Sequence, residues 1–292
     1  MKRIVLFLVL SMAAAVLAAG CTTPGAEVAA PVYSLDETGA LVITGITPVY
    51  TEMAGGFSGI NGSVALSDLI FSENDGNVHA FLAAPSHPVA GVVLVPGAGV
   101  AAAAHEGRAV SYAESGIATL VLDVRGNGGE TAGHTEGLNG DLRRFTSGTT
   151  PQWYLTIGDI ITARMMLSER YGTPVYIVGS SNGGMTGAVA AALDAGDAGY
   201  FGVSTSAITV ADGASPDVLA FVRSVDPAAY VGAISPEPVW IFHSSSDEVI
   251  PFQNGLSLFN AAQEPKNFEV FNGTHGINAK VDNMIIGAIL TF

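Results

Sequence analysis

With a single cysteine, Cys21, among 292 residues, the chain can form no internal disulfide. Basic residues are also scarce. Eleven Lys and Arg stand against 26 Asp and Glu, for a formal charge of −15. Such a surface repels nucleic acid and anionic lipid head groups, so nucleic acid is excluded as an expected partner. The spacing His-Glu-x-x-His is absent, and His79, His87, His105 and His134 show no shared pattern, so no metal set is expected. No internal repeat appears. The length suffices for one large α/β domain with a sizeable core, or for two small ones.

The N-terminus reads as an address. Lys2 and Arg3 precede an apolar run from Ile4 to Leu17, and small residues follow, which is the pattern of a secretory signal. The run is short for a membrane-spanning helix. Leu17-Ala18-Ala19-Gly20-Cys21 resembles the lipobox of prokaryotic lipoproteins. That resemblance implies a lipidated Cys21 anchoring the exported protein to the outer side of a membrane. The expected organisation is a signal peptide over 1–20, the cysteine and a small-residue tether over 21–31, and one domain over 32–292. Without Lys2 and Arg3 the remainder carries 9 basic against 26 acidic groups, a formal charge of −17.

Along the domain the hydrophobic rhythm starts with strands. Leu41–Tyr50 reads as one, and Val64–Phe71 with Val78–Ala83 as a hairpin around turn-forming residues 72–77. Strand and helix then alternate. Strands are expected at Gly91–Val95, Ala118–Asp123, Pro174–Val178, Tyr200–Thr205, Pro238–His243 and Asn267–Phe271. Helices are expected at Ala101–Ser115, Thr156–Tyr171, Asn182 onward, Asn254–Gln263 and Ala279–Leu290. The pattern predicts an α/β fold: a mostly parallel sheet with antiparallel first strands and helices on both faces. Gly126–Pro151 reads as a long irregular segment, either a solvated excursion or a substrate-facing lid.

Gly179-Ser180-Ser181-Asn182-Gly183 is a G-x-S-x-G pattern between a β-branched strand and an Ala-rich helix. At such a turn a serine is forced into a strained backbone, and side chains at Gly179 or Gly183 would clash. With 36 glycines in the chain the five letters alone could mark an ordinary βα turn. A serine needs a base, and the base needs an orienting acid. Downstream the chain supplies both after strands, in the order serine, acid, histidine. Asp247 and Glu248 follow Pro238–His243, and His275 follows Asn267–Phe271. Asp226 is a third candidate for the acid. Strand carboxyl ends share one rim of such a sheet, so these loops are expected to converge.

HSSSDEVIPF, NGTHG and LVLDVRGNGGETAG together resemble the α/β-hydrolase superfamily, in particular its dienelactone-hydrolase-like and prolyl-oligopeptidase-like branches. The resemblance spans roughly Ser67 to the C-terminus. It implies Ser181 as nucleophile, Asp247 as acid and His275 as base, with His243 and Ser180 in support. The residue after the nucleophile, Asn182, is the expected first oxyanion donor. The resemblance implies Ala98 as the second, although Pro96-Gly97 stands where the family commonly has His-Gly.

Two other readings compete. Strand 91–95 followed by Gly97-Ala98-Gly99, with Asp123 ending the next strand, imitates a dinucleotide fingerprint. Pro96 and the preceding hairpin argue against it, and Asp123 is expected to fix the adjacent loop instead. A non-catalytic binding module of the same fold would not need serine, acid and histidine together. The expected activity is therefore a serine hydrolase acting on small carboxylic esters or lactones through an acyl-enzyme, with a peptidase as runner-up. No metal or organic cofactor is called for. The oligomeric state is not legible.

Overall fold

The computed structural model describes residues 30–58, 62–73 and 76–292. The expected signal peptide, Cys21 and most of the tether lie outside the described residues, as do residues 74–75 of the expected hairpin turn. Two short antiparallel strands come first, β1 (Val32–Leu35) and β2 (Leu41–Thr44). The strand expected over Leu41–Tyr50 is thus two strands. Gly45, at φ +76, and Pro48 interrupt the extended run before β3 (Tyr50–Ser58).

β3, β4 (Val64–Glu73) and β5 (Gly76–Pro85) form an antiparallel meander. The alternating part follows: β6 (Ala90–Val95), α1 (Glu106–Glu114), β7 (Ile117–Leu122), α2 (Gly137–Thr146), α3 (Gln152–Tyr171), β8 (Val175–Ser180) and α4 (Asn182–Leu193). The chain ends with β9 (Tyr200–Val203), α5 (Pro216–Val225), α6 (Pro227–Tyr230), β10 (Val239–Ser244), α7 (Phe252–Ala261), β11 (Lys266–Phe271) and α8 (Ala279–Ile289). The large sheet has nine strands in the order β11-β10-β9-β8-β6-β7-β5-β4-β3. β6 to β11 pair in parallel, and β3, β4 and β5 pair antiparallel at the other side.

The central strands are buried on both faces, which is why they read as continuous apolar runs. Their side chains still alternate. Val93 and Val95 enter one core with α3, α4 and α7, while Val92 and Leu94 enter the other with α1 and α8. Gly172, at φ +65, closes α3 and gives its N–H to the carbonyl of Ser168.

The segment expected to be irregular, Gly126–Pro151, contains α2. Leu138, Leu142 and Phe145 lie at helical spacing and pack on the core, with Phe145 against Phe221 of α5 at 5.5 Å. Two glycines and a polar face hide this stripe in the sequence. The helix places buried Asp141 at the start of α3, where its carboxylate accepts the N–H groups of Gln152 (2.5 Å) and Trp153 (3.3 Å).

A costly ionisable group lies in the turn between α4 and β9. Arg164 grips Asp194 through Nε (2.5 Å) and Nη2 (2.9 Å), and buried Asp197 sits beside them with Oδ2 unpartnered. Burial, then the charges of Asp194 and Glu237, push the Asp197 carboxyl up to about 7. The folded protein therefore keeps a proton that the unfolded chain releases near 3.8. The stability this proton supplies is complete below 3.8 and is lost as pH rises to about 7. At higher pH the buried charge costs up to about 4 kcal/mol. Asp197→Asn is expected to raise the melting temperature at pH 8, with the gain vanishing toward pH 4; thermal melts across that range check it.

Candidate active site

Ser181 directly follows β8 and opens α4 with φ +55 and ψ −122, a region that side chains rarely occupy. Its N–H bonds the carbonyl of Val203 at 2.8 Å. A Cβ on Gly179 would lie 2.4 Å from the carbonyl oxygen of Gly183, and one on Gly183 would lie 2.3 Å from that of Val95. Only glycine fits at either position, so strand, turn and helix close on one another and push the serine hydroxyl out at the rim.

Two loops meet that hydroxyl. Nε2 of His275 lies 2.9 Å from Ser181 Oγ, and Nδ1 lies 3.0 and 2.9 Å from the two oxygens of Asp247. The carboxylate fixes the proton of a neutral ring on Nδ1, so Nε2 accepts from the serine hydroxyl. The Asp247 side chain is fully buried, while His275 is partly open to solvent. Burial pushes the Asp247 carboxyl up. The Ile250 N–H, His275 and the Val249 N–H outweigh this and hold it below its ordinary value of 3.8.

The competing acids are engaged elsewhere. Asp226 caps α6 and accepts N–H bonds from Ile208 (2.9 Å) and Ala228 (3.1 Å). Glu248 is exposed. His243 is wholly buried, gives its Nε2–H to the carbonyl of Ile250 (3.0 Å), and lies 3.6 Å from Asp247. It braces the acid loop from beneath.

Two serines tie the loops to each other. Ser204, held at φ +48 after β9, accepts the N–H of Gly276 at 3.0 Å, and its side chain also bonds Asp247. Ser244 gives its hydroxyl to Gly273 (2.5 Å) and accepts the N–H of Ser246 (3.1 Å). Nothing in the spacing of the sequence pointed to these serines, because their bonds to Gly276 and Gly273 span loops from different strands. An unusual φ at a non-glycine residue is the one local signature of Ser204.

The loop Gly97–Val100 lies against the serine turn; a Cβ on Gly97 would sit 3.2 Å from Ser181 Cβ. Asn127 clamps this loop. Its amide gives to the carbonyls of Gly97 (2.8 Å) and Val100 (3.3 Å), and its oxygen accepts the N–H of Gly99 (3.1 Å). Asp123 anchors the same region through the N–H groups of Ala102 (3.2 Å) and Thr131 (2.7 Å), which accounts for its place after β7. Arg125 is locked to Asp159 of α3 by two bonds, at 2.7 and 2.9 Å.

Ala98 borders two cavities. One, of about 220 Å³, contains Ser181 and His275. The other, of about 110 Å³, is walled by Asn182, Asn127, His134 and Trp153, so the segment after Gly126 faces this rim.

No protein-family model matches the chain, and no curated protein is similar to it in sequence. Solved structures do resemble it in shape. Acetyl xylan esterase 1 from a Thermoanaerobacterium species superposes with a TM-score of 0.71 at 15% identity, over 84% of this chain and 88% of that one. An acetyl xylan esterase from a Paenibacillus species gives 0.69 at 16% identity, over 84% and 89%. A cold-adapted esterase from an Arctic intertidal metagenomic library gives 0.61 at 20% identity, over 80% and 96%. Sheet order, crossovers and these superpositions establish that the chain adopts the α/β-hydrolase fold.

Proposed function

We propose that the protein is a serine hydrolase of small carboxylic esters. The observation that carries this reading is the hydrogen-bonded line from Ser181 Oγ through His275 to Asp247. Ser181 attacks the ester carbonyl as Nε2 of His275 takes its proton. Asp247 stabilises the imidazolium and keeps its own charge, consistent with its lowered pKa. The oxyanion is received by the N–H groups of Ala98 and Asn182, the latter in the first turn of α4. His275 returns the proton to the leaving alcohol oxygen. Water, deprotonated by the same ring, then releases the acid from Ser181. Esterases among the similar folds support the same bond type.

The leaving oxygen must sit beside His275, so the 220 Å³ cavity lies on the alcohol side. The 110 Å³ crevice beyond the oxyanion donors lies on the acyl side, and its size favours a short acyl group.

Ser181→Ala is expected to lower hydrolysis of p-nitrophenyl acetate by roughly 10³-fold or more, with circular dichroism unchanged. Asp247→Asn should cost about 10⁴-fold in kcat, while Asp226→Asn leaves kcat within a few-fold. Equal effects of the two carboxylate changes would reject the assigned acid. Asn127→Ala should loosen the Ala98 loop and reduce kcat by about 10²-fold with little change in KM. Steady-state kinetics with the folded variants decides each.

A further inference from the structure

The alcohol-side cavity contains a second imidazole that the reaction does not use. His105 ends the short turn before α1. It is 8% exposed, and it lines the cavity together with Val100, Ser181, His275 and Ile277. Its Nδ1 meets Nη1 of Arg108. A guanidinium can only donate, so Nδ1 carries the lone pair, and in the neutral ring the proton resides on Nε2. Burial, reinforced by the Arg108 charge, pulls the His105 pKa down to about 4, so the ring is neutral at ordinary pH.

Arg108 is itself immobilised. Its Nε bonds Asp282 of α8 at 2.7 Å, and its Nη2 reaches the carbonyl of Ile277 at 3.3 Å. Tyr112 adds a hydroxyl bond to the same Asp282 at 3.2 Å. The residues that fix the His105 tautomer thereby also hold the wall two residues beyond His275. Among the described residues Nε2 of His105 has no hydrogen-bond partner, and the residue, 8% exposed, lies at the cavity wall. A fixed donor in such a place needs an acceptor, and an apolar group seated there would leave it unsatisfied.

Resting on the serine-hydrolase reading, we propose that His105 selects esters whose alcohol portion bears a further oxygen, such as a polyol or sugar, by giving its Nε2–H to that oxygen. His105 is thus a specificity residue on the alcohol side, separate from the Ser181, His275 and Asp247 chemistry. A simple alkyl ester lacks the acceptor and leaves the N–H unpaired.

The test compares two acetates of matched shape, 2-hydroxyethyl acetate and propyl acetate. The ratio of their kcat/KM values is divided by the ratio of their hydroxide-catalysed rates. Wild-type protein should favour the hydroxyl ester about 10-fold, the worth of one hydrogen bond at a buried donor. His105→Leu should bring the ratio to about 1 or below. His105→Gln, which keeps an N–H donor, should hold it above about 3, against the same hydrogen-bond scale. A wild-type ratio near 1 overturns the proposal, as does a ratio that a folded His105→Leu leaves intact. If His105→Leu fails to fold, the wild-type ratio and His105→Gln decide. No turnover of either ester overturns the hydrolase reading and this proposal with it. Turnover without discrimination overturns this proposal alone.

Discussion

The strained backbone of Ser181 is the constraint to which the rest of the rim is fitted. A non-glycine residue at φ +55 costs of order 1–3 kcal/mol and persists only where its surroundings leave no alternative. Here β8 fixes one side, α4 the other, and the bond to Val203 the middle. Relaxing the serine would require Gly179 to part from Gly183, and Gly183 from the end of β6. Both separations would open the sheet–helix interface that buries Ile177, Val189 and Ala190. The strain at one hydroxyl is therefore borne by a large apolar interface.

A protruding hydroxyl is of no use unless an imidazole is held at bonding distance, and a loop histidine is not held by its own strand. The polar links among the loops supply that restraint. Ser204 and Ser244 stitch the acid and histidine loops together, and His243 supports the acid loop from the core. Each link is a hydrogen bond worth only about 1 kcal/mol. Their value is positional, because each removes a direction in which the ring of His275 could drift from Ser181. Orientation of this kind is worth more to a bond-making step than to stability.

Much of this was legible in sequence, for a physical reason. Parallel strands buried on both faces are apolar without interruption, so β6, β7 and β8 announce themselves, and the loops after them carry the polar residues. Ser181 directly follows β8, and Asp247 and His275 follow β10 and β11, all at short, readable distances from strand ends. What stayed hidden depends on partners remote in sequence. Asn127 reaches back 30 residues to Gly97, Gly276 bonds a serine 72 residues away, and Arg108 bonds Ile277 across 169. α2 was hidden differently. Its stripe of Leu138, Leu142 and Phe145 is diluted by Gly137 and Gly140, so composition outweighed period. Gly140 has a packing reason to be there. A Cβ would lie 2.8 Å from the His134 ring and from Glu136.

The two imidazoles of the alcohol-side cavity show how the fold assigns different work to one side chain. His275 faces the buried Asp247 carboxylate on Nδ1 and the Ser181 hydroxyl on Nε2, the arrangement the proposed hydrolysis asks of its base. His105 faces a guanidinium on Nδ1, an environment that refuses a second proton. Interchanging those neighbours would leave the serine facing a ring unable to accept its proton and the substrate facing a ring that competes for it. The separation rests on where the counter-charges are rooted. Asp247 is fixed by the backbone N–H groups of its own loop, whereas Arg108 is fixed by α8 and by the wall beyond His275. A displacement of α8 would therefore disturb Arg108, and through it His105, while the Asp247 loop kept its own bonds. In the proposed reaction selectivity and bond cleavage share a cavity, yet their electrostatic supports lie on different elements of the fold.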